Sequence, residues 1–189
     1  MSVTLLQLWL PIILGGLFSW IASAIIHTVI KYHNADYKKL SNEDQVAAAF
    51  RQSQPKPGLY HMPHCIDMKE MQNESMQEKL KSGPIAMISV FENGLPKMGK
   101  LLIQQILFFI VACIMIAYIA TLTLNSSSDF MSIFRILMIV GFLTFGYGII
   151  PHSIWLGQPW ANCIRYLFDA LIYAVIIAAT FAWLWPQVA

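Results

Sequence analysis

The residues best suited to chemistry lie in one short strip, 60–68, which is rich in imidazole and sulfur ligands. These side chains bind soft or borderline metals, so the strip is compatible with a copper or zinc site, which is the alternative interpretation of it. No second Cys/His pair follows at finger-like spacing, so a closed structural zinc site is not indicated. The competing interpretation is an aromatic edge that packs against a membrane surface. The candidate ligands are His61, His64, Cys65, Met62 and Met68.

The same strip also allows a thiol–imidazole pair, formed by Cys65 with His61 or His64. Adjacency in sequence does not by itself bring a nucleophile and a base into reacting geometry. The sequence contains no phosphate-binding glycine loop, dinucleotide fingerprint or H-E-x-x-H zinc motif. We therefore predict no catalytic residues, and a non-catalytic protein is favoured over an enzyme.

A second group of polar residues lies within or beside apolar runs, where charge is costly. Asp169 follows Arg165 by one helical turn, and His27 and His152 fall near the same expected depth. One interpretation is a structural ion pair that pins the last helix to its neighbours. The other is a proton or ion relay centred on Asp169. The first is favoured, because the rest of the last apolar run offers few polar groups.

The last apolar run also carries small residues at every fourth position. This small-xxx-small ladder predicts close helix packing, with other subunits or with a second copy of the chain, where no hydrophobic effect drives association. Its members are Ala170, Ala174, Ala178 and Ala182.

Four apolar runs organise the chain, and each reaches the roughly 20 residues that a membrane-spanning helix needs. They cover approximately residues 5–30, 101–124, 133–155 and 164–185. We predict an all-α membrane protein with four transmembrane helices and a small cytoplasmic α+β insertion between helices 1 and 2. The expected segments are 1–31 (helix 1), 32–100 (insertion) and 101–189 (helices 2–4).

The insertion is expected to contain two short helices and a hairpin. The helices are predicted over Glu43–Gln52 and Met68–Lys81, where Gly83 and Pro84 end the second one. Strand formers at Ile85–Phe91 precede a tight turn at 92–94, which predicts the hairpin.

The distribution of positive charge predicts the orientation in the membrane. Of the 12 Lys and Arg residues, ten lie in 31–100, Arg165 falls on the same side, and only Arg135 falls on the other. Cytoplasmic flanks retain positive charge, so both termini are expected to be non-cytoplasmic.

Composition supports a membrane protein, since 57% of the residues are apolar and only 12% are charged. The net charge of +2 and the interleaving of bases with acids give no reason to expect nucleic-acid binding. The three cysteines have no C-x-x-C spacing, so no disulfide framework is predicted.

Two groups of short signals carry a resemblance to known proteins. They are Pro57-Gly58-x-Tyr60, Pro63-His64-Cys65, Gly83-Pro84 and Asn93-Gly94-x-Pro96-x-Met98-Gly99, followed later by Ser153-Ile154-Trp155-x-Gly157-Gln158-Pro159-Trp160. In these the chain resembles a family of small bacterial membrane proteins with no assigned activity. The resemblance implies a bacterial inner-membrane setting and assigns no functional residue.

Together these features predict a non-catalytic inner-membrane protein whose partners are lipid and other membrane subunits or copies of itself. Metal handling through the His61/His64/Cys65 strip is the first alternative. A small proton-coupled transport component centred on Asp169 is the second.

Overall fold

The computed structural model describes residues 2–67 and 69–186, and about 70% of the chain is helical. Four helical segments are long and apolar enough to cross a membrane. They are Leu5–Ile30, Met98–Thr123, Phe130–Trp155 and Trp160–Trp183. The four predicted transmembrane helices are thus present as elements, each within a few residues of its expected position.

The first span is a composite of three helix types. A 3₁₀ turn, Leu5–Leu8, leads into α1 (Trp9–Ile25), which ends in one π-helical turn, Ile26–Ile30. A second 3₁₀ turn, Tyr32–Asp36, follows and is called the junction turn below. Lys31 between them has a φ of 58°, in the left-handed region, which ends the helix and reverses the chain.

The other spans are simpler. The second is α4 (Met98–Thr123) and the fourth is α7 (Trp160–Trp183). The third is broken after α5 (Phe130–Phe145), since a 3₁₀ turn at Tyr147–Ile149 precedes the short α6 (Ile150–Trp155). The carboxylate of Asp129 begins α5 by accepting the backbone N–H groups of Met131 and Ser132, at 3.0 and 3.1 Å.

The most buried of the four spans is α7, which packs most extensively on α5 and next on α1. Ala170 and Ala174 of the alanine ladder lie against α5, and the four members of the ladder are 1%, 0%, 0% and 6% exposed in chain order. A Cβ added to Gly141 would lie 3.1 Å from the Ala174 Cα, and one added to Gly146 would lie 2.9 Å from the Ala170 Cβ. The ladder is therefore used inside one chain, and a self-association surface would have to lie on another face.

Residues near both limits of the described chain contact the same turn, at one end of the helices. Ser2 forms a bridge with Asn125, and the Trp185 indole N–H donates to the Asn125 carbonyl at 2.9 Å. This contact is expected of a chain with four antiparallel spans.

Residues 38–96 form a separate compact unit. It contains α2 (Glu43–Ser53), β1 (Gly58–Met62), a 3₁₀ turn (Glu70–Gln72), α3 (Glu74–Ser82) and β2 (Ala86–Val90). Both helices were predicted, but α3 begins at Glu74, whereas its predicted start, Met68, lies outside the described residues. The predicted hairpin, with its turn at 92–94, is wrong. Instead β2 pairs antiparallel with β1, in a register that runs from Gly58 opposite Val90 to Met62 opposite Ala86. The two strands are separated in the chain by α3. None of the described residues of this unit is fully buried.

Candidate functional site

The junction turn places an imidazole and a phenol against the first half of α7. After the left-handed Lys31, whose N–H donates to the Ile26 carbonyl at 2.8 Å, the chain folds back onto α7. His33 is then only 6% exposed and Asp169 only 3%. Two residues far apart in sequence are thereby brought into one buried polar group.

Hydrogen bonds join five side chains, which we call the His33 network. His33 Nε2 lies 2.8 Å from Asp169 Oδ2, and its Nδ1 lies 2.7 Å from Asp36 Oδ2. The Tyr32 hydroxyl donates to Asp169 Oδ1, and the Arg165 guanidinium donates to Asp36 Oδ1. The carboxylates therefore have both of their oxygens occupied.

Acidic and basic residues alternate along the network, from Asp169 through His33 and Asp36 to Arg165. A carboxylate oxygen can accept a hydrogen bond but cannot donate one. His33 therefore donates to both Asp169 and Asp36 only when its ring is the protonated imidazolium. In that state two positive and two negative charges cancel, as buried charges require. The arrangement fastens the junction turn to α7.

Two rings flank His33. The His27 ring lies parallel to it, with ring centroids 4.8 Å apart, and the Tyr166 ring is tilted at the same centroid distance. His27 Nδ1 lies 2.9 Å from the Ser23 carbonyl and must donate to it, which leaves Nε2 with a free lone pair when the ring is neutral. His27 is the exposed member of this group.

His27, His33 and Asp169 are the group that can hold a metal ion within the described residues. One ligand atom from each of them lies within 4.8 Å of the others.

The predicted polar residues are only partly brought together. Asp169, Arg165 and His27 lie in or beside the network, but Arg165 pairs with Asp36, and Asp169 pairs with His33 instead of Arg165. His152 lies in α6 with an exposed side chain, and no described contact joins it to the network.

The predicted metal strip does not converge on one point in the described part of the chain. His61 Nδ1 donates to the Pro63 carbonyl at 2.9 Å, and the Cys65 thiol donates to the Asp67 carbonyl at 3.3 Å. Met62 is the last residue of β1, His64 is exposed, and Met68 lies outside the described residues.

The Cys65 thiol is held in its neutral form. Desolvation, with Glu70 next and Asp67 after it, raises the pKa of the Cys65 thiol. The thiolate is the form that binds metals and attacks electrophiles, so this shift opposes both uses of the residue near pH 7.

Sequence reasoning missed His33, Asp36 and the role of Tyr32. The available signal was a His-x-x-Asp pair directly after the first span, facing an Arg-x-x-x-Asp pair on α7 with the complementary order of charges.

No family model, curated protein or solved structure matches this chain. The chemistry of the site is therefore inferred from its own geometry.

Proposed function

We propose that this chain is a non-catalytic, multi-pass protein of a bacterial inner membrane and acts as an accessory or scaffolding subunit of a larger membrane complex. The observation that supports this proposal is the extent of apolar helix surface that the chain leaves uncovered. In the most apolar part of each span, only 33% of the residues of α4 and 22% of those of the third span are buried.

The open surface of α4 is made of large side chains. This helix packs on α1 but only lightly on α5, and exposed residues recur along it from end to end. They include Leu107, Val111, Met115, Tyr118 and Leu122. In a bilayer such a face is covered by lipid or by partner helices, and shape complementarity decides between them.

The His33 network fits a scaffolding role. Its carboxylates, imidazole and guanidinium bond to one another and hold the end of the first span on α7. Rigid placement of helices is what a subunit with a packing role requires.

The orientation belongs to the same proposal. Ten of the 12 Lys and Arg residues lie in 31–100, from the end of the first span to the first turn of the second. This excess of cations supports a cytoplasmic location for the unit 38–96 and a non-cytoplasmic one for both termini.

The test is photocrosslinking in native membranes, combined with sizing of the protein in lipid nanodiscs. A photoreactive residue replaces Met115, which is 64% exposed on α4, and in a control chain it replaces Ala117, which is fully buried on the same helix. We expect the Met115 variant to form a protein adduct that migrates with the assembly, and the control to form none. Lipid adducts alone, with a particle containing a single chain, would overturn the proposal.

A further inference from the structure

We propose that His27, His33 and Asp169 bind one divalent metal ion, either Zn²⁺ or a neighbouring ion of the first transition row. Two imidazoles and one carboxylate form a borderline ligand set, which suits Zn²⁺ and its neighbours in the first transition row. This site lies at the end of the first span and uses none of the residues of the His61/His64/Cys65 strip. It is independent of the accessory-subunit proposal.

The spacing of the ligand atoms is close to that of a coordination shell. At metal–ligand distances of about 2.0–2.2 Å, two atoms bound to one tetrahedral ion lie about 3.4 Å apart. The three ligand atoms here lie within 4.8 Å of one another, and His33 Nε2 and Asp169 Oδ2 lie 2.8 Å apart. An ion would replace the proton that these two atoms share. Because the rings of His27 and His33 lie parallel, the exposed His27 ring would have to rotate to direct its Nε2 lone pair at that ion.

Each ligand is held by a second contact on its other polar atom. The Ser23 carbonyl fixes His27 through Nδ1, Asp36 fixes His33 through Nδ1, and the Tyr32 hydroxyl fixes Asp169 through Oδ1. Such contacts set the tautomer and orientation of ligands in metal sites, and a carboxylate on the far nitrogen of a ligating imidazole is a recurring one. They leave one nitrogen of each imidazole and one oxygen of Asp169 for the ion.

The net charge of the site and its access from solvent also suit a divalent cation. Asp36 is neutralised by Arg165, so Asp169 supplies the one uncompensated negative charge beside the ion once both imidazoles are neutral. His27 is the exposed ligand and provides the route of entry. Three protein ligands leave a fourth position for water.

The proposal is tested by titrating the purified full chain with Zn²⁺ alone. The protein carries an affinity tag without histidines, is stripped with a chelator, and is then analysed by equilibrium dialysis and by thermal unfolding. We expect one Zn²⁺ per chain and a higher unfolding temperature in its presence.

His27→Gln is the decisive variant, because it removes a ligand and leaves the bonds of His33 with Asp169 and Asp36 in place. We expect affinity for Zn²⁺ to fall by more than about tenfold, because that loss already follows the mutation of residues that only support a ligand. The unfolding temperature without metal should stay unchanged, and the rise caused by Zn²⁺ should disappear.

Two controls make the result specific. His152→Gln removes an exposed imidazole at the end of the third span, and the triple replacement of His61, His64 and Cys65 removes the other candidate ligands. Both should bind Zn²⁺ like the unaltered chain. The proposal is overturned if the unaltered chain binds no Zn²⁺, if His27→Gln binds it equally well, or if the triple variant loses it.

Discussion

The imidazole of His33 connects two carboxylates that are brought together from distant parts of the chain. Its partner Asp169 lies 136 positions away and Asp36 only three. The side chains of His33, Asp36 and Asp169 are at most 7% exposed, so water has little access to replace their partners. The network therefore stabilises the fold only while all of its members are present.

His33→Ala should lower the free energy of unfolding by about 3–5 kcal/mol, the range seen when one partner of a buried charge pair is removed. The loss arises because Asp169 and Asp36 would each retain a buried, partly unsatisfied carboxylate. The measurement is denaturant unfolding of the purified chain in mild detergent with a chelator present.

His152→Ala is the matched control, since that imidazole is exposed and should change the same free energy by less than about 0.5 kcal/mol. Equal losses in the two variants would show that His33 contributes no more than a surface histidine.

The sequence indicated part of this site. Asp169, Arg165 and His27 stand out because polar side chains are rare in apolar runs. The pairing could not be derived, because it depends on the direction that the chain takes after the first span. That direction is set by the left-handed conformation of Lys31. Lysine rarely adopts this conformation, so its presence in the sequence does not predict a turn.

At the scale of elements, close packing of α5 on α7 depends on a glycine that faces the alanine ladder. A Cβ at Gly141 would lie 3.1 Å from the Ala174 Cα and 3.2 Å from its Cβ, and this backbone has no flexible end that can move aside. Gly148, in the same span, has no such neighbour within 4 Å.

Gly141→Leu should lower the free energy of unfolding by about 1–3 kcal/mol, because the added side chain overpacks the contact between α5 and α7. Gly148→Leu introduces the same side chain into open space and should change it by less than about 0.5 kcal/mol. Thermal unfolding of both variants in one detergent makes the comparison. A loss for Gly148→Leu as large as that for Gly141→Leu would contradict this account of the interface.

The elements themselves differ in how far sequence could predict them. Spans were predictable because length and hydropathy are local properties that need no knowledge of packing. The sheet was not, because β1 and β2 are separated by α3 and their register depends on a long-range pairing. The alanine ladder was recognised as a packing surface, but its spacing could not reveal that the partner is α5 of the same chain.

At the scale of the whole molecule, the orientation that the charge distribution predicts can be tested on one native thiol. Cys113 and Cys163 lie in spans and are 0% and 1% exposed, whereas Cys65 lies in the unit 38–96 and is partly exposed. An aqueous maleimide should therefore modify Cys65 alone among the three cysteines.

In intact cells, a membrane-impermeant maleimide should leave Cys65 unmodified, and permeabilised cells should give one adduct that Cys65→Ser abolishes. The pKa of the Cys65 thiol is raised, so the thiolate fraction, and with it the labelling rate, should increase as the pH rises through 9. Ser127→Cys, placed in the exposed turn between α4 and α5, is the control and should react in intact cells when Cys65 is replaced. Modification of Cys65 before permeabilisation, with Ser127→Cys protected, would show that the chain is inserted in the opposite sense and that its cations do not determine its topology.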